Sequence, residues 1–119
     1  MLRKNEFCKV INNIQYMDRI YTIKQLLAEK PNDIFLNYAL AMEYMSLSNW
    51  DSAAAQLEWI RNNHPDYLAL YYQLAHVYEE LKNSDMAILV YEQGIELAIK
   101  LSDKKTELEL KSALEELMF

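Results

Sequence analysis

A chain of 119 residues, 52% hydrophobic and 25% charged, has enough apolar side chains for one core and too many for a disordered chain. Its net charge of −6, with basic residues scattered, is the reverse of what counterion release from nucleic acid or attraction to an anionic membrane requires. Cys8 is the single cysteine, which excludes a disulfide framework and permits a reducing, cytoplasmic location; His64 and His76 have no cysteine near them, so no metal and no cofactor is expected.

One glycine and two prolines in the whole chain favour long helices joined by short turns. Residues 1–9 show no clear pattern, and Asn5, Glu6 and Lys9 interrupt any apolar run, so a signal peptide is not expected. Residues 1–16 are expected to be an N-terminal extension, partly mobile or helical. The remaining 17–119 read as one domain, opening with a helix over 17–30. Glu43, Gln73 and His76 break the longest apolar stretches, so no membrane span is expected.

From residue 31 the chain repeats itself. Pro65-Asp66-Tyr67 stands 34 residues after Pro31-Asn32-Asp33. At that offset Leu40 falls on Leu74, Ala41 on Ala75, Tyr44 on Tyr78, Leu47 on Leu81, Asn49 on Asn83, Ala53 on Ala87 and Leu57 on Tyr91. Asp33 and Asp66, each just after a proline, stand where N-caps belong. Ser48-Asn49 and Lys82-Asn83-Ser84 break each unit into two antiparallel helices. The expected spans are 34–47 and 51–63 in the first repeat (34–63), then 67–81 and 85–100 in the second (67–100).

Carried backwards, the register lays Ile23 over Leu57 and Leu26 over Ile60, so 17–30 resembles the second helix of a partial repeat. Carried forwards, Leu108 falls on Leu74, but Glu109 stands where Ala75 packs, and a third repeat fails. Leu110, Ala113, Leu114 and Leu117 still form an apolar stripe with Glu107, Glu109, Lys111 and Glu115 opposite, as a capping helix over 104–118 requires.

The pattern resembles the tetratricopeptide repeat (TPR), W-x2-L-G-x2-Y, then A-x3-F, then P. Here it reads Asn37-x2-Leu40-Ala41-x2-Tyr44, Ala53-x3-Leu57, Pro65, and then Tyr71-x2-Leu74-Ala75-x2-Tyr78, Ala87-x3-Tyr91. Asn37 replaces the usual aromatic, Gly94 occupies a usual alanine, and Ile99 stands where a proline would close the second unit. The resemblance implies an all-α fold: a short solenoid of antiparallel helix hairpins in a right-handed superhelix, with a C-terminal capping helix. It also implies a non-catalytic interaction module.

One stripe is left over from core packing. Phe35, Tyr38, Met42 and Met45 lie about 100° round the helix from Asn37, Ala41 and Tyr44, and their counterparts are Ala69, Tyr72, His76 and Glu79. In TPR proteins these offsets face the concave side, where ligands lie. The stripe is either a groove for a partner or a surface covered by the protein's own terminal helices. The family's clamp for acidic chaperone tails uses Lys, Arg and Asn here; Tyr38, Met42, Tyr72, Gln73 and His76 supply no cation, so a chaperone C-terminal tail is not the expected ligand. An RNA-reading helical-hairpin family has a basic groove and a period one residue longer, and neither fits.

Catalysis finds no support. A nucleophile elbow, a phosphate loop and HExxH are all absent. His76 with Glu79 and Glu80, or Cys8 with His64, could be drawn as reactive pairs, but polar residues at helical spacing are ordinary surface. The expected function is an adaptor or scaffold gripping an apolar peptide or helix. The alternative is a structural homodimer paired through the same stripe.

Overall fold

The computed structural model describes the backbone of residues 4–119, and the side chains of Gln15 and of Met17 onward. Six helices follow one another: α1 (Lys4–Glu29), α2 (Ile34–Ser46), α3 (Trp50–Asn63), α4 (Ala69–Glu80), α5 (Ser84–Lys100) and α6 (Lys104–Met118). No strand occurs among the described residues. Each helix packs mainly on its neighbours in sequence, as in a solenoid. α1 runs without a break across Met17. Residues 1–3 and the side chain of Cys8, and with it any pairing to His64, lie outside the described residues.

Local chemistry explains where the helices stop and start. Asp33 caps α2 by accepting the Leu36 N–H at 2.9 Å, as the sequence predicts. Asp66 does not cap α4: the chain makes a further turn through Tyr67, and α4 begins after Leu68 with no side-chain cap. Ser48, Lys82 and Ser102 each adopt a left-handed conformation, with φ of 56°, 60° and 57°. Each closes a two-bond cap on the preceding helix; Ser48 N–H donates to the Met45 carbonyl and Asn49 N–H to that of Tyr44. The residue after each then caps the next helix: Asn49, Asn83 and Asp103 accept from the N–H of Ser52, Met86 and Thr106. One residue ends a helix and its neighbour begins another, so the connections are as short as the lack of glycine demands.

The core holds the repeat's shared positions. Ala41, Ala53, Ala75 and Ala87 are fully buried, as are Leu57, Leu74 and Val90. The alanines let the helices of a hairpin approach closely, and the larger residues fill the layer between hairpins. Asn37 stands in for the missing aromatic. Its amide donates to the carbonyls of Pro31 (3.1 Å) and Asp33 (2.7 Å), and its oxygen accepts from Gln56. In the second unit the Tyr71 hydroxyl donates to the Pro65 carbonyl, the same bond one repeat later. Both side chains hold the proline turn against the helix after it.

Two features of α6 differ from the sequence reading. Glu107, expected on the water side, is buried, and its carboxylate receives Lys111 at 2.6 Å and Lys104 at 3.2 Å. Lys111 first, then Lys104, hold the Glu107 carboxyl below its usual range. Leu110 is fully buried, while Leu108 is exposed. The reason is a slip of register: α5 has 17 residues where α3 has 14. The slip sets Glu107 and Leu110 where Tyr71 and Leu74 stand one unit earlier, so the 34-residue offset misreads this helix.

Candidate protein-binding face

Helices α2, α4 and α6 lie side by side on one face of the stack, and the leftover stripe falls on it. Phe35 rises from the first turn of α2 with 75% of its surface exposed, edging a groove shared with Leu26 of α1. Ala69 and Tyr72 are open as well, Tyr72 by 44%. Tyr38, Met42 and Met45 are half-buried and pack on the core. The Tyr38 ring meets Tyr67 edge-on at 5.4 Å, with Gln73 of α4 near its hydroxyl. Burial pushes the Tyr38 phenol up, and Gln73 offsets part of the rise. Tyr38 therefore packs α2 against the turn that leads into α4.

The other residues of the stripe are held from below. His76 meets the ring of Trp50 edge-on at 6.0 Å. Its Nε2 lies 3.9 Å from Glu80, too far for the hydrogen bond that an acid–base pair would use. Glu79 accepts the Tyr91 hydroxyl at 2.5 Å. Burial first, then Glu79, raises the Tyr91 phenol far above its ordinary range. Tyr72 in turn meets the Tyr91 ring edge-on at 6.3 Å.

The sequence did not supply the walls around these residues. α6 flanks Tyr72 with Glu109, Ser112, Ala113 and Glu116, enclosing a groove of about 280 Å³. Further along, Leu117 of α6 meets His76, Glu79 and Glu80 around a hollow of about 380 Å³. Tyr67 and Trp50 lie at or beyond helix ends, where a face-by-face reading does not reach, and the α6 residues were hidden by its slipped register.

A larger hollow, about 570 Å³, lies on the opposite side between α3 and α5. Among its lining residues, Arg61, Gln93 and Tyr71 are engaged in hydrogen bonds, while Asn62, Asp66, Glu96 and Lys100 also face it. Arg61 donates to Glu58 and to Gln93 at 2.9 Å, and Tyr71 to the Pro65 carbonyl. Glu58 also accepts the Tyr78 hydroxyl at 2.6 Å, and burial together with Glu58 pushes that phenol up to about 12. Hydrogen bonds cross-brace this side, and it lies away from the family's ligand-facing offsets.

No group of three or more metal-ligating side chains occurs among the described residues, and none of their helices is long and apolar enough to cross a membrane.

Residues 68–98 match the family model of the tetratricopeptide repeat. The chain is 39% identical to a tetratricopeptide repeat domain protein from Salinibacter ruber in its solution structure, covering 73% of this chain and 88% of that one, with a TM-score of 0.69. The crystal structure of the Salinibacter ruber domain protein gives 38% identity over 73% of this chain and 97% of that one, also with a TM-score of 0.69. A Bordetella parapertussis protein shares the fold at 20% identity, with a TM-score of 0.75 over 83% of this chain and 86% of that one. No curated protein matches the sequence. The repeat match and the 39% identity across most of a tetratricopeptide domain agree with the hairpin geometry: this chain belongs to the tetratricopeptide-repeat family.

Proposed function

We propose that the protein is a non-catalytic interaction module, an adaptor or subunit, that grips an apolar peptide or helix on its α2–α4–α6 face. The observation that carries this reading is the pair of open aromatics on that face. Phe35 and Tyr72 are exposed, as Tyr21 and Phe119 are elsewhere, but of these four only Phe35 and Tyr72 lie on the family's ligand-facing offsets. Aromatic rings give contact area at low entropic cost, and the neighbouring Met42 and Met45 can adapt to an irregular ligand.

The test is selection from a library of short random peptides, followed by mapping of amide shifts on the labelled protein. Recovered peptides should perturb Tyr72, His76 and Ala113. Tyr72→Ala should weaken their binding by about 1–3 kcal/mol while the heat melt stays cooperative. Peptides that map between α3 and α5 would sink the reading. Pairing of two copies through the same stripe is the competing use, and a molar mass that rises with concentration would support it instead.

A further inference from the structure

The face is not uniform, and its two halves call for different chemistry. Between α2 and α4 it is apolar, made by Phe35, Tyr38, Met42, Met45 and Ala69. Between α4 and α6 the lining changes. Tyr72 shares its groove with Glu109, Ser112, Ala113 and Glu116 of α6, and Glu79 and Glu80 line a second hollow against Leu117 of the same helix. Lys82, at the far end, is the one lysine or arginine among the residues lining these two grooves. The Tyr91 hydroxyl holds Glu79, and the charge of Glu116 reaches the same phenol. Two carboxylates, those of Glu109 and Glu116, thus share a groove with the open ring of Tyr72. A tyrosine face carries negative potential of its own and attracts ammonium or guanidinium groups. Carboxylates beside it strengthen that field, most where the groove excludes water.

We propose that the groove between α4 and α6 takes a cationic side chain, arginine or lysine, laid over Tyr72 between Glu109 and Glu116. This rests on the reading of the α2–α4–α6 face as a peptide-binding surface, and it specifies the partner. The fitting ligand is a segment with apolar positions at one end, for the α2–α4 stripe, and basic positions at the other. Charge complementarity decides it. An acidic or purely apolar segment would leave the carboxylates facing like charge or stripped of water, either of which opposes binding.

Two synthetic helical peptides test this, identical in length and apolar positions, one carrying arginine and the other glutamate at the polar positions of one end. Calorimetry with the full-length protein should show the arginine peptide binding and the glutamate peptide failing. Raising the salt from about 0.05 M to about 0.5 M should weaken the arginine peptide strongly. The double substitution Glu109→Gln, Glu116→Gln should weaken it about tenfold or more, and Tyr72→Ala by a similar factor. The double substitution Asp85→Asn, Glu92→Gln, at exposed sites on α5, removes the same charge and should change little, separating the groove from the chain's overall charge. Equal effects of the two doubles, or equal binding of both peptides, would overturn the cation site and leave the peptide-binding face standing. Failure of both peptides to bind would overturn both.

Discussion

Two residues show why a helix position cannot be valued apart from what faces it. A glycine within a helix costs about 1 kcal/mol relative to alanine, so Gly94→Ala taken alone would stabilise α5. In the fold, a Cβ at Gly94 would stand 2.7 Å from Tyr71 Cβ and 3.0 Å from Leu110 Cδ1. Tyr71 Cβ is fixed to its backbone and cannot swing aside, so α4 and α5 would have to part. We expect Gly94→Ala to destabilise by roughly 1–2 kcal/mol net, read as a lower melting temperature; a rise would show that the three helices yield there. Asn37 is the second case. Leucine would match its size and the helix's apolar face, yet Asn37→Leu removes the bonds to Pro31, Asp33 and Gln56. Denaturant melts should show a loss of about 1–3 kcal/mol, since buried polar groups are left unpaired.

Among the elements, the turns and α6 carry the sharpest consequences. Ser48, Lys82 and Ser102 hold a left-handed conformation that costs a side-chain-bearing residue energy and suits glycine. Lys82→Gly should stabilise by roughly 0.5–1 kcal/mol in a heat or urea melt, the opposite sign from Gly94→Ala although both exchanges involve glycine. α6 should answer to acid. The Thr106 N–H and hydroxyl lower the Asp103 carboxyl, as Lys111 and Lys104 lower that of Glu107. A carboxyl with a lowered folded pKa contributes stability that is present above its unfolded value, near 4, and lost as pH falls through the folded one. Hydrogen exchange on the amides of α6 should therefore quicken as pH drops below about 4, after correction for intrinsic rates. Glu107→Gln should loosen α6 at neutral pH and flatten that dependence.

At the scale of the whole molecule, the stack is elongated. Its radius of gyration is 16.1 Å. A compact chain of this length would have about 13.5 Å. In such a stack stability comes from neighbour-on-neighbour contact, and an end helix is worth as much as the face it covers. Leu110 of α6 is fully buried and meets the α5 backbone at Gly94, so α6 closes the second repeat. Removing residues 104–119 should give a molten or aggregated chain without a cooperative heat melt. A soluble 1–103 fragment that melts cooperatively would show that α6 is dispensable.

What the sequence determined by itself was everything that depends on spacing within one helix or across identical repeats. The alanines at 41, 53, 75 and 87 sit where hairpin helices touch, and Asp33 caps α2. These follow because 3.6 residues per turn fixes which side chains share a face. Tertiary structure decided what depends on the opposing helix. Asn37 is a buried bracket, Glu107 is drawn inside between two lysines, and Tyr38 is packed against the turn that leads into α4. The acidic wall beside Tyr72 belongs to the same class, because α6 reaches it only through the longer α5 that slips the register. Periodicity within a chain says which face a residue occupies, and only the packing of helices says what that face meets.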